Sequence, residues 1–258
     1  MKIVFPIAGR GSRFQVLAKQ NAAYTQPKPL ILVKGKPMIA WAVASLKKLN
    51  QPSHNFIFIT LQEHVDLYHI DDTLQELFGP DIQIIILPQV TRGATQTVLR
   101  ASEFINNNDD LLIADCDNYF DGTNLERALA EKSAETEGII PVFKPDDTEP
   151  KWSYTLFDKD QTALAVGEKD PDLAAKGAYA NIGAYYFSHG KIFVEEAEKM
   201  IEENDVYGSD GKKEFYIAPL YQRLINKGMQ VKAAIIPKLW GMGTPNDLEY
   251  FLENFHEI

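Results

Sequence analysis

Two aspartates, Asp115 and Asp117, stand one residue apart directly after an apolar run, a spacing typical of metal ligands. Residues i and i+2 of an extended chain share a face, so both carboxylates can approach one ion. Carboxylates that emerge together repel each other unless a positive group lies between them, and Mg²⁺ is a hard cation that takes carboxylate oxygens as ligands. The pair therefore predicts a Mg²⁺ site, with ordinary turn aspartates as the alternative.

A glycine-rich turn near the N-terminus predicts a phosphate-binding loop. It runs through Ala8, Gly9, Arg10, Gly11, Ser12 and Arg13. Glycines let the backbone approach a phosphate closely, consecutive N–H groups can point at it, and arginine adds a fork of charged donors. The turn lacks the Gly-Lys-Ser/Thr of a Walker loop, and Phe14 stands where a Rossmann fingerprint has its third glycine, so kinase-like and dehydrogenase-like interpretations are disfavoured. The alternative is an ordinary strand-to-loop turn.

The charge distribution supports an anionic ligand at the same end of the chain. Nine lysines and arginines precede the first acidic residue, Glu63, although the whole chain has a formal charge of −10 and a pI near 5.0. Such asymmetry favours a phosphate-bearing ligand. The net negative charge argues against binding to nucleic acid or to an anionic membrane, because those surfaces repel a net anion.

Length and composition predict one soluble α/β domain. The 258 residues, 45% of them hydrophobic, can bury a substantial core. No apolar run is long enough to cross a bilayer, which together with the acidic composition predicts a cytoplasmic protein. The single cysteine, Cys116, excludes an internal disulfide and a Cys-based metal site and is expected to be a small buried residue. The five histidines show no paired ligand spacing, and the oligomeric state is left open.

The order of the elements predicts where these residues lie. Apolar runs at 2–8, 56–60, 82–87 and 111–114 predict buried strands, and they alternate with helical patterns at 37–49, 63–78 and 94–106. Alternation of this kind predicts a parallel sheet, in which ligands gather at the carboxyl ends of the strands. The glycine turn and the two aspartates both follow strands, so one shared site is expected.

A more antiparallel region is expected beyond Gly138. Runs at 139–143, 154–157 and 163–166, the last two joined by a polar turn at 158–161, predict a hairpin. Further strands are expected at 179–187 and 231–236, helices at 191–203, 214–226 and 245–255, and a mobile polar loop at 204–213.

The glycine turn is followed by Pro27-Lys28-Pro29-Leu30 and Gly35-Lys36-Pro37, and the whole block resembles the N-terminal signature of a known family. It is similar to the nucleotidylyltransferases that activate sugar 1-phosphates and related small phosphates. The resemblance implies a single Rossmann-like, GT-A-like domain over 1–258, with a mixed, mainly parallel sheet flanked by helices. A nucleotide-binding part would reach to about residue 137, and a smaller antiparallel, acceptor-binding region would occupy 138–258.

The resemblance also implies roles for residues of the nucleotide-binding part. The glycine turn with Arg13 would hold a nucleoside triphosphate, and Lys28 would neutralise its phosphates. Recognition of the base is expected at Gln89, Gly93, Ala94 and Thr95, with a plain loop and helix cap as the alternative. Asp117 is the usual metal ligand of the family.

Acceptor binding is implied for a second group of residues. These are Glu168, Lys169, Asn181, Gly183, Glu214 and Trp240, with Lys169 meeting the acceptor phosphate. Surface or core positions are the alternatives for Glu168, Lys169 and Trp240. The chain departs from the family pattern at Gly241, where relatives often place an Asp as a second metal ligand. Asp115, Glu168, triphosphate oxygens or water could then complete the shell.

The expected reaction is nucleotidyl transfer, in which an acceptor phosphate oxygen attacks the α-phosphorus of a nucleoside triphosphate and pyrophosphate leaves. The resemblance implies a sugar 1-phosphate as the commonest acceptor, and with it a place in nucleotide-sugar and in capsule or surface polysaccharide biosynthesis. One alternative is a CTP-dependent cytidylyltransferase acting on a phosphocholine-like compound or a phosphorylated amide. Two others are a GT-A glycosyltransferase, which would release no pyrophosphate, and a nucleotide-binding protein without catalysis.

Overall fold

Most of the predicted strands join one ten-stranded sheet in the computed structural model, which describes residues 1–147, 149–208 and 213–256. The strands are β1 Lys2–Pro6, β2 Leu32–Val33, β3 Lys36–Pro37, β4 Phe56–Leu61, β5 Gln83–Leu87, β6 Leu111–Ala114, β7 Asn118–Phe120, β8 Thr136–Phe143, β9 Ser153–Phe157, β10 Ala163–Glu168, β11 Tyr179–Asn181, β12 Ala184–Phe187, β13 Gln230–Ile235 and β14 Leu239–Gly241. Two small antiparallel pairs, β2 with β3 and β7 with β14, stand apart from this sheet.

The sheet is mixed, as the sequence predicts. Its order is β10-β9-β11-β8-β12-β6-β1-β4-β5, and β13 also pairs with β8. Strands β6, β1, β4 and β5 are parallel to one another, whereas β12, β8, β11, β9 and β10 are joined by antiparallel pairs. The predicted hairpin is the β9–β10 pair. The carboxyl ends of β1 and β6 are therefore neighbours, which brings the glycine turn beside the two aspartates.

Helices cover the sheet, and several are shorter than the sequence predicts. They are α1 Ser12–Gln15, α2 Met38–Ser45, α3 Gln62–Tyr68, α4 Ile70–Phe78, α5 Ala94–Val98, α6 Ser102–Ile105, α7 Thr123–Ala130, α8 Pro171–Ala175, α9 Gly190–Glu202, α10 Ala218–Asn226 and α11 Pro245–Asn254. The predicted helix at 63–78 is broken at His69, whose φ is 50°. None of the described helices is both long and apolar enough to cross a membrane.

Two predicted elements are interrupted near the site. The expected strand at 179–187 is two strands, because Gly183 turns the chain with a φ of 74°. The expected helix at 214–226 begins only at Ala218, because Glu214 forms a β-bridge with Tyr207 instead. The mobility expected for the 204–213 loop falls partly on residues 209–212, which lie outside the described residues, and stays a prediction.

The core occupies both faces of the sheet. Along β1, Val4 joins one buried cluster while Ile3 and Phe5 join the other, so successive residues are buried on opposite sides. A third, largely aromatic cluster lies beside the glycine turn and contains Phe14, which is 1% exposed and meets the ring of Tyr24 edge-on at 5.0 Å. Phe14 thus anchors the turn where a dinucleotide-binding loop would have glycine.

A buried carboxylate ties the helical layer of the second half together. Glu196 of α9 is 3% exposed and contacts Arg223 Nε at 3.3 Å, Lys199 Nζ at 3.3 Å, and Lys227. Burial alone would raise the pKa of Glu196, but its hydrogen bonds and attraction to Lys227 and Lys199 prevail and lower it. The carboxylate is thus held ionised by α10 and by its own helix.

We expect Glu196→Ala to lower the free energy of unfolding by about 1.5 kcal/mol, because it removes the buried carboxylate shared by Lys199, Arg223 and Lys227, while Arg223 keeps its contact with Glu203 at 2.7 Å. Urea titration followed by circular dichroism measures this loss. The matched control is Glu195→Ala, an exposed position on the same helix, for which a change within about 0.5 kcal/mol is expected. Equal losses in the two variants would contradict the assignment.

Candidate active site

Two cavities of about 500 and 510 Å³ meet at the carboxyl ends of β1 and β6. The glycine-turn cavity is bounded by the turn from Ala8 to Gly11, by Lys28 and by the 90–94 segment. The hairpin cavity is bounded by residues of the β9–β10 hairpin, by β11 and by the 241–247 segment. Asp115, Asp117 and Tyr216 line both cavities. Two ligands that occupied the two cavities would therefore meet at the aspartates.

The glycine turn is shaped by close contact with Lys28. Gly11 has a φ of 64°, and a Cβ at this position would lie 3.3 Å from the Cβ of Lys28. At Gly9 nothing lies within 4 Å of such a Cβ, so the backbone there faces open space. Ala8, Gly9, Arg10 and Gly11 line the glycine-turn cavity. Arg10 also reaches Glu63 on the surface, at 3.2 Å.

Two members of the turn lie elsewhere. Arg13 lines the hairpin cavity rather than the glycine-turn cavity. Ser12 begins α1 with an exposed side chain and lines neither cavity. The predicted phosphate loop is therefore divided, with its backbone on one side of the aspartates and its second arginine on the other.

An ion pair between Lys28 and Asp117 stands where the two cavities join. Lys28 Nζ donates to Asp117 Oδ2 at 2.6 Å, and the two side chains are 23% and 16% exposed. Burial would lower the pKa of Lys28, but the charge of Asp117 and the hydrogen bond to it prevail and raise it above its usual value. Lys28 is therefore expected to be protonated at neutral pH.

Asp115 is held on the other side of the junction. Its backbone N–H donates to the carbonyl of Gly183 at 2.7 Å. Burial, and then repulsion by Asp117, raise the pKa of Asp115 to about 7. Ionising Asp115 therefore costs free energy unless a further cation enters the junction.

The two aspartates at the junction suit a metal ion that takes most of its ligands from substrate and water rather than from the protein. Among the described residues no group of three His, Cys, Asp or Glu side chains could hold a metal ion. Mg²⁺ is commonly bound through one or two carboxylates together with substrate phosphates and water, so Asp115 and Asp117 fit that requirement.

The position of Gly241, where relatives often have Asp, faces an amide. A Cβ at Gly241 would lie 3.9 Å from Asn118 Oδ1. The next acidic group in the segment is Asp247, which lines the hairpin cavity, but its Oδ2 accepts hydrogen bonds from the backbone and hydroxyl of Thr244 in a helix-capping box. Neither Asn118 nor Asp247 was predicted from the sequence to be a site residue.

The hairpin cavity combines positive groups with polar and aromatic ones. Arg13, Lys151 and Lys169 supply the charge, and Lys169 Nζ lies 3.3 Å from the hydroxyl of Tyr216. Burial raises the pKa of Glu168, an effect opposed by the hydrogen bond from Ser153 Oγ. The remaining wall is formed by Trp152, Ser153, Asn181, Gly183 and Tyr185. Such a cavity can hold a small phosphorylated molecule with hydrogen-bonding groups.

The 92–95 segment is bonded to Phe215 and so positions Tyr216. Phe215 N donates to the carbonyl of Arg92 at 2.8 Å, and Thr95 N donates to the carbonyl of Phe215 at 3.1 Å. Glycine is required at position 93, because any other residue would place a Cβ 2.6 Å from backbone atoms of Phe215 and would have to adopt a φ of 135°. Tyr216 follows directly and contributes to both cavities.

Five residues predicted for base or acceptor contacts lie in three different surroundings. Gly93 and Ala94 line the glycine-turn cavity, but Gln89 lies in a separate surface pocket, and Thr95 is fully buried below the segment. Glu214, expected at the acceptor, lines the glycine-turn cavity.

Trp240 is partly buried and packs against the third cluster, as its size allowed. Its indole meets the rings of Phe255 at 5.2 Å and Phe251 at 5.9 Å within the third cluster, and it lines neither cavity. The neighbouring Gly241 and Gly243 line the hairpin cavity in its place.

We expect Gly183→Ala to destabilise the protein, because the new Cβ would lie 2.4 Å from Asp115 Oδ2 and 2.8 Å from Asn118 Nδ2. Gly228→Ala is the matched control, since Gly228 has a similar φ of 75° with nothing within 4 Å of its Cβ position. Overpacking predicts a loss about 1–3 kcal/mol larger for Gly183→Ala, measured by urea unfolding. Equal losses would show that the junction has room for a side chain.

Comparison with known proteins gives one consistent result. Two curated relatives, each a bifunctional protein GlmU, from Thermosipho africanus and Thermosipho melanesiensis, are 24% and 23% identical over 85% of this chain. The match covers 43% of their own length, so the chain spans less than half of these relatives.

Two solved structures share the fold over nearly all of both chains. A nucleoside-diphosphate-sugar pyrophosphorylase from Vibrio cholerae has a TM-score of 0.77 and 22% identity, covering 98% of this chain and 100% of its own. The inositol-1-phosphate CTP transferase from T. maritima has a TM-score of 0.70 and 15% identity, covering 100% and 97%. The nucleotidyl transferase family model matches residues 7–249, and the chain therefore belongs to that family.

Proposed function

We propose that this nucleotidyltransferase joins the nucleoside monophosphate of a nucleoside triphosphate to a sugar 1-phosphate and releases pyrophosphate. The observation that carries the proposal is the junction of two cavities at Asp115 and Asp117, with the cationic Lys28 at the same point. Each cavity is large enough for one small ligand. A reaction between two anionic substrates requires this kind of cationic meeting point.

The triphosphate is assigned to the glycine-turn cavity. The backbone from Gly9 to Gly11 can approach phosphates closely, and Lys28 adds charge at the junction. Gly93 and Ala94 line the opposite wall, where the base would lie. Backbone groups and small side chains of this wall would then recognise the base.

The acceptor is assigned to the hairpin cavity. Arg13, Lys151 and Lys169 offset the charge of its phosphate, and Glu168 and Asn181 face the rest of the molecule. An acceptor phosphate oxygen would attack the α-phosphorus across Asp115 and Asp117, and the pyrophosphate would leave on the side of the glycine turn. Because an acceptor phosphate is already a nucleophile, no general base is required, and positioning with charge stabilisation supplies the catalysis.

Enzymes of this family generally use a divalent metal. We propose Mg²⁺, held by Asp117 and Asp115 together with substrate oxygens. When bound, it would supply positive charge that offsets the negative charge of the phosphates in the transition state. The role of Lys28 before binding is to neutralise Asp117, so that two partly buried carboxylates can share the junction.

A second candidate is CTP-dependent transfer to a small non-sugar phosphate. It is favoured by Gly241, where a ligand typical of relatives is absent, and by the aromatic side chains of Trp152, Tyr185 and Tyr216 around the hairpin cavity. A phosphorylated alcohol or amide, rather than a hexose phosphate, would then occupy this cavity. We propose that either activity serves nucleotide-sugar or surface polysaccharide formation in the cytoplasm.

The first test is pyrophosphate release with Mg²⁺, each of the four ribonucleoside triphosphates or dTTP, and a panel of sugar 1-phosphates and small alcohol or amide phosphates. We expect release that requires one donor and one acceptor together. Release with an amide or alcohol phosphate and CTP would select the second candidate. Nucleotide binding without release from any pair would contradict both candidates.

We expect Lys28→Ala and Asp117→Ala each to lower kcat/KM by about 10²-fold or more, because each removes a charged group from the junction. The matched control for Lys28 is Lys19→Ala, an exposed lysine of the same basic segment, for which kcat/KM is expected to stay within about twofold. Thermal unfolding of each variant shows that the fold persists. Near-wild-type kinetics in both junction variants would remove the proposed reaction centre.

A further inference from the structure

We infer that Ser153 and Thr155, which we call the β9 pair, are positioning residues that orient Glu168 and Asn181 for an acceptor offering both a hydrogen-bond donor and an acceptor oxygen. The inference rests on the proposed function, because it concerns the acceptor half of that reaction. It adds a chemical requirement for the acceptor. It also adds Ser153 and Thr155, which were not predicted from the sequence to be site residues.

The sheet places the β9 pair between the two groups it orients. Strand β9 lies between β10 and β11. Ser153 stands directly opposite Glu168 on β10, and Thr155 stands opposite Tyr179 on β11, two residues before Asn181. Residues two apart on a strand share a face, so Ser153 and Thr155 point to the same side of the sheet.

Thr155 fixes the amide of Asn181. Thr155 is fully buried, and its Oγ1 donates to Asn181 Oδ1 at 2.6 Å. Asn181 is 4% exposed and lines the hairpin cavity. Within the described part of the chain its Nδ2 is buried without a hydrogen-bond partner. Since a buried unpaired donor is costly, Nδ2 is a donor held ready for a ligand oxygen.

Ser153 fixes the carboxylate of Glu168 in the same way. Its Oγ donates to Glu168 Oε2, and both residues line the hairpin cavity. A carboxylate accepts hydrogen bonds and donates none, so Glu168, which lines the cavity, can accept a hydrogen bond from a donor group of the ligand. The cavity therefore presents one fixed donor and one fixed acceptor on neighbouring strands.

A ligand must complement both groups to bind well. Adjacent hydroxyls of a sugar or polyol phosphate do so, and so does a primary carboxamide, because each offers an N–H or O–H and an oxygen a short distance apart. A quaternary ammonium group offers neither. A site built to hydrogen-bond its substrate strongly rejects an analogue that leaves its buried polar groups unpaired. The β9 pair thus selects against a phosphocholine-like acceptor.

The experiment compares Thr155→Val with Thr155→Ser, with the acceptor varied at saturating nucleotide and the nucleotide varied at saturating acceptor. We expect Thr155→Val to raise the KM for the acceptor about tenfold, while the KM for the nucleotide stays within about twofold. Thr155→Ser restores the hydroxyl and should return the acceptor KM to within about threefold of wild type. Ser153→Ala applies the same test to Glu168.

The matched control is Thr136→Val. Thr136 is a strand threonine, 2% exposed, whose Oγ1 donates to Gln230 Oε1 at 2.9 Å away from both cavities. Its loss should lower stability to a similar extent without changing the acceptor KM. An equal rise in KM for Thr136→Val and Thr155→Val, or no rise in Thr155→Val, would overturn the inference.

Comparing different acceptors shows which chemical group the site recognises. Sugar or polyol phosphates identify the diol, phosphorylated amides identify the carboxamide, and phosphocholine used as efficiently as the best of them would overturn the requirement. If wild type releases no pyrophosphate with any pair, the proposed function fails. The Thr155–Asn181 contact is still tested without turnover by NMR: the Asn181 side-chain amide signals, assigned with Asn181→Asp, should shift in Thr155→Val and return in Thr155→Ser, and unchanged signals would overturn it.

Discussion

The ion pair between Lys28 and Asp117 is the contact on which the arrangement of the site depends. Asp115 and Asp117 emerge together from β6, and both are partly buried, so a cation beside them favours their ionised forms. Lys28 supplies that cation from a segment distant in sequence. Burial, and then repulsion by Asp117, raise the pKa of Asp115 to about 7 although Lys28 opposes the shift, so a further cation at the junction would favour the ionised form of Asp115.

The surrounding fold serves to hold this pair in place. Pro27 and Pro29 restrict the backbone on both sides of Lys28, and Gly11 packs directly against it. Gly183 leaves room for the Asp115 carboxylate. Small or constrained residues therefore hold the glycine turn and the two aspartates close together.

The sequence predicted the mixed sheet and the nearness of the glycine turn to Asp115, because strand runs are apolar and the carboxyl ends of parallel strands lie together. It could not predict features that depend on register or on competition for space. The hydrogen bond from Thr155 to Asn181 depends on how β9 pairs with β11. A tryptophan such as Trp240 can stack on a ligand or pack in a core, and the sequence does not distinguish the two. The structure shows it packed against Phe251 and Phe255.

The most direct test of this account is a crystal structure with Mg²⁺ and a non-hydrolysable α,β-methylene nucleoside triphosphate. We expect the phosphates to follow the backbone from Gly9 to Gly11, with the α-phosphate at the junction within hydrogen-bonding reach of Lys28 and open toward the hairpin cavity. A nucleotide whose phosphates lie away from Lys28 and Asp117, or that occupies the hairpin cavity, would contradict the assignment of the two cavities.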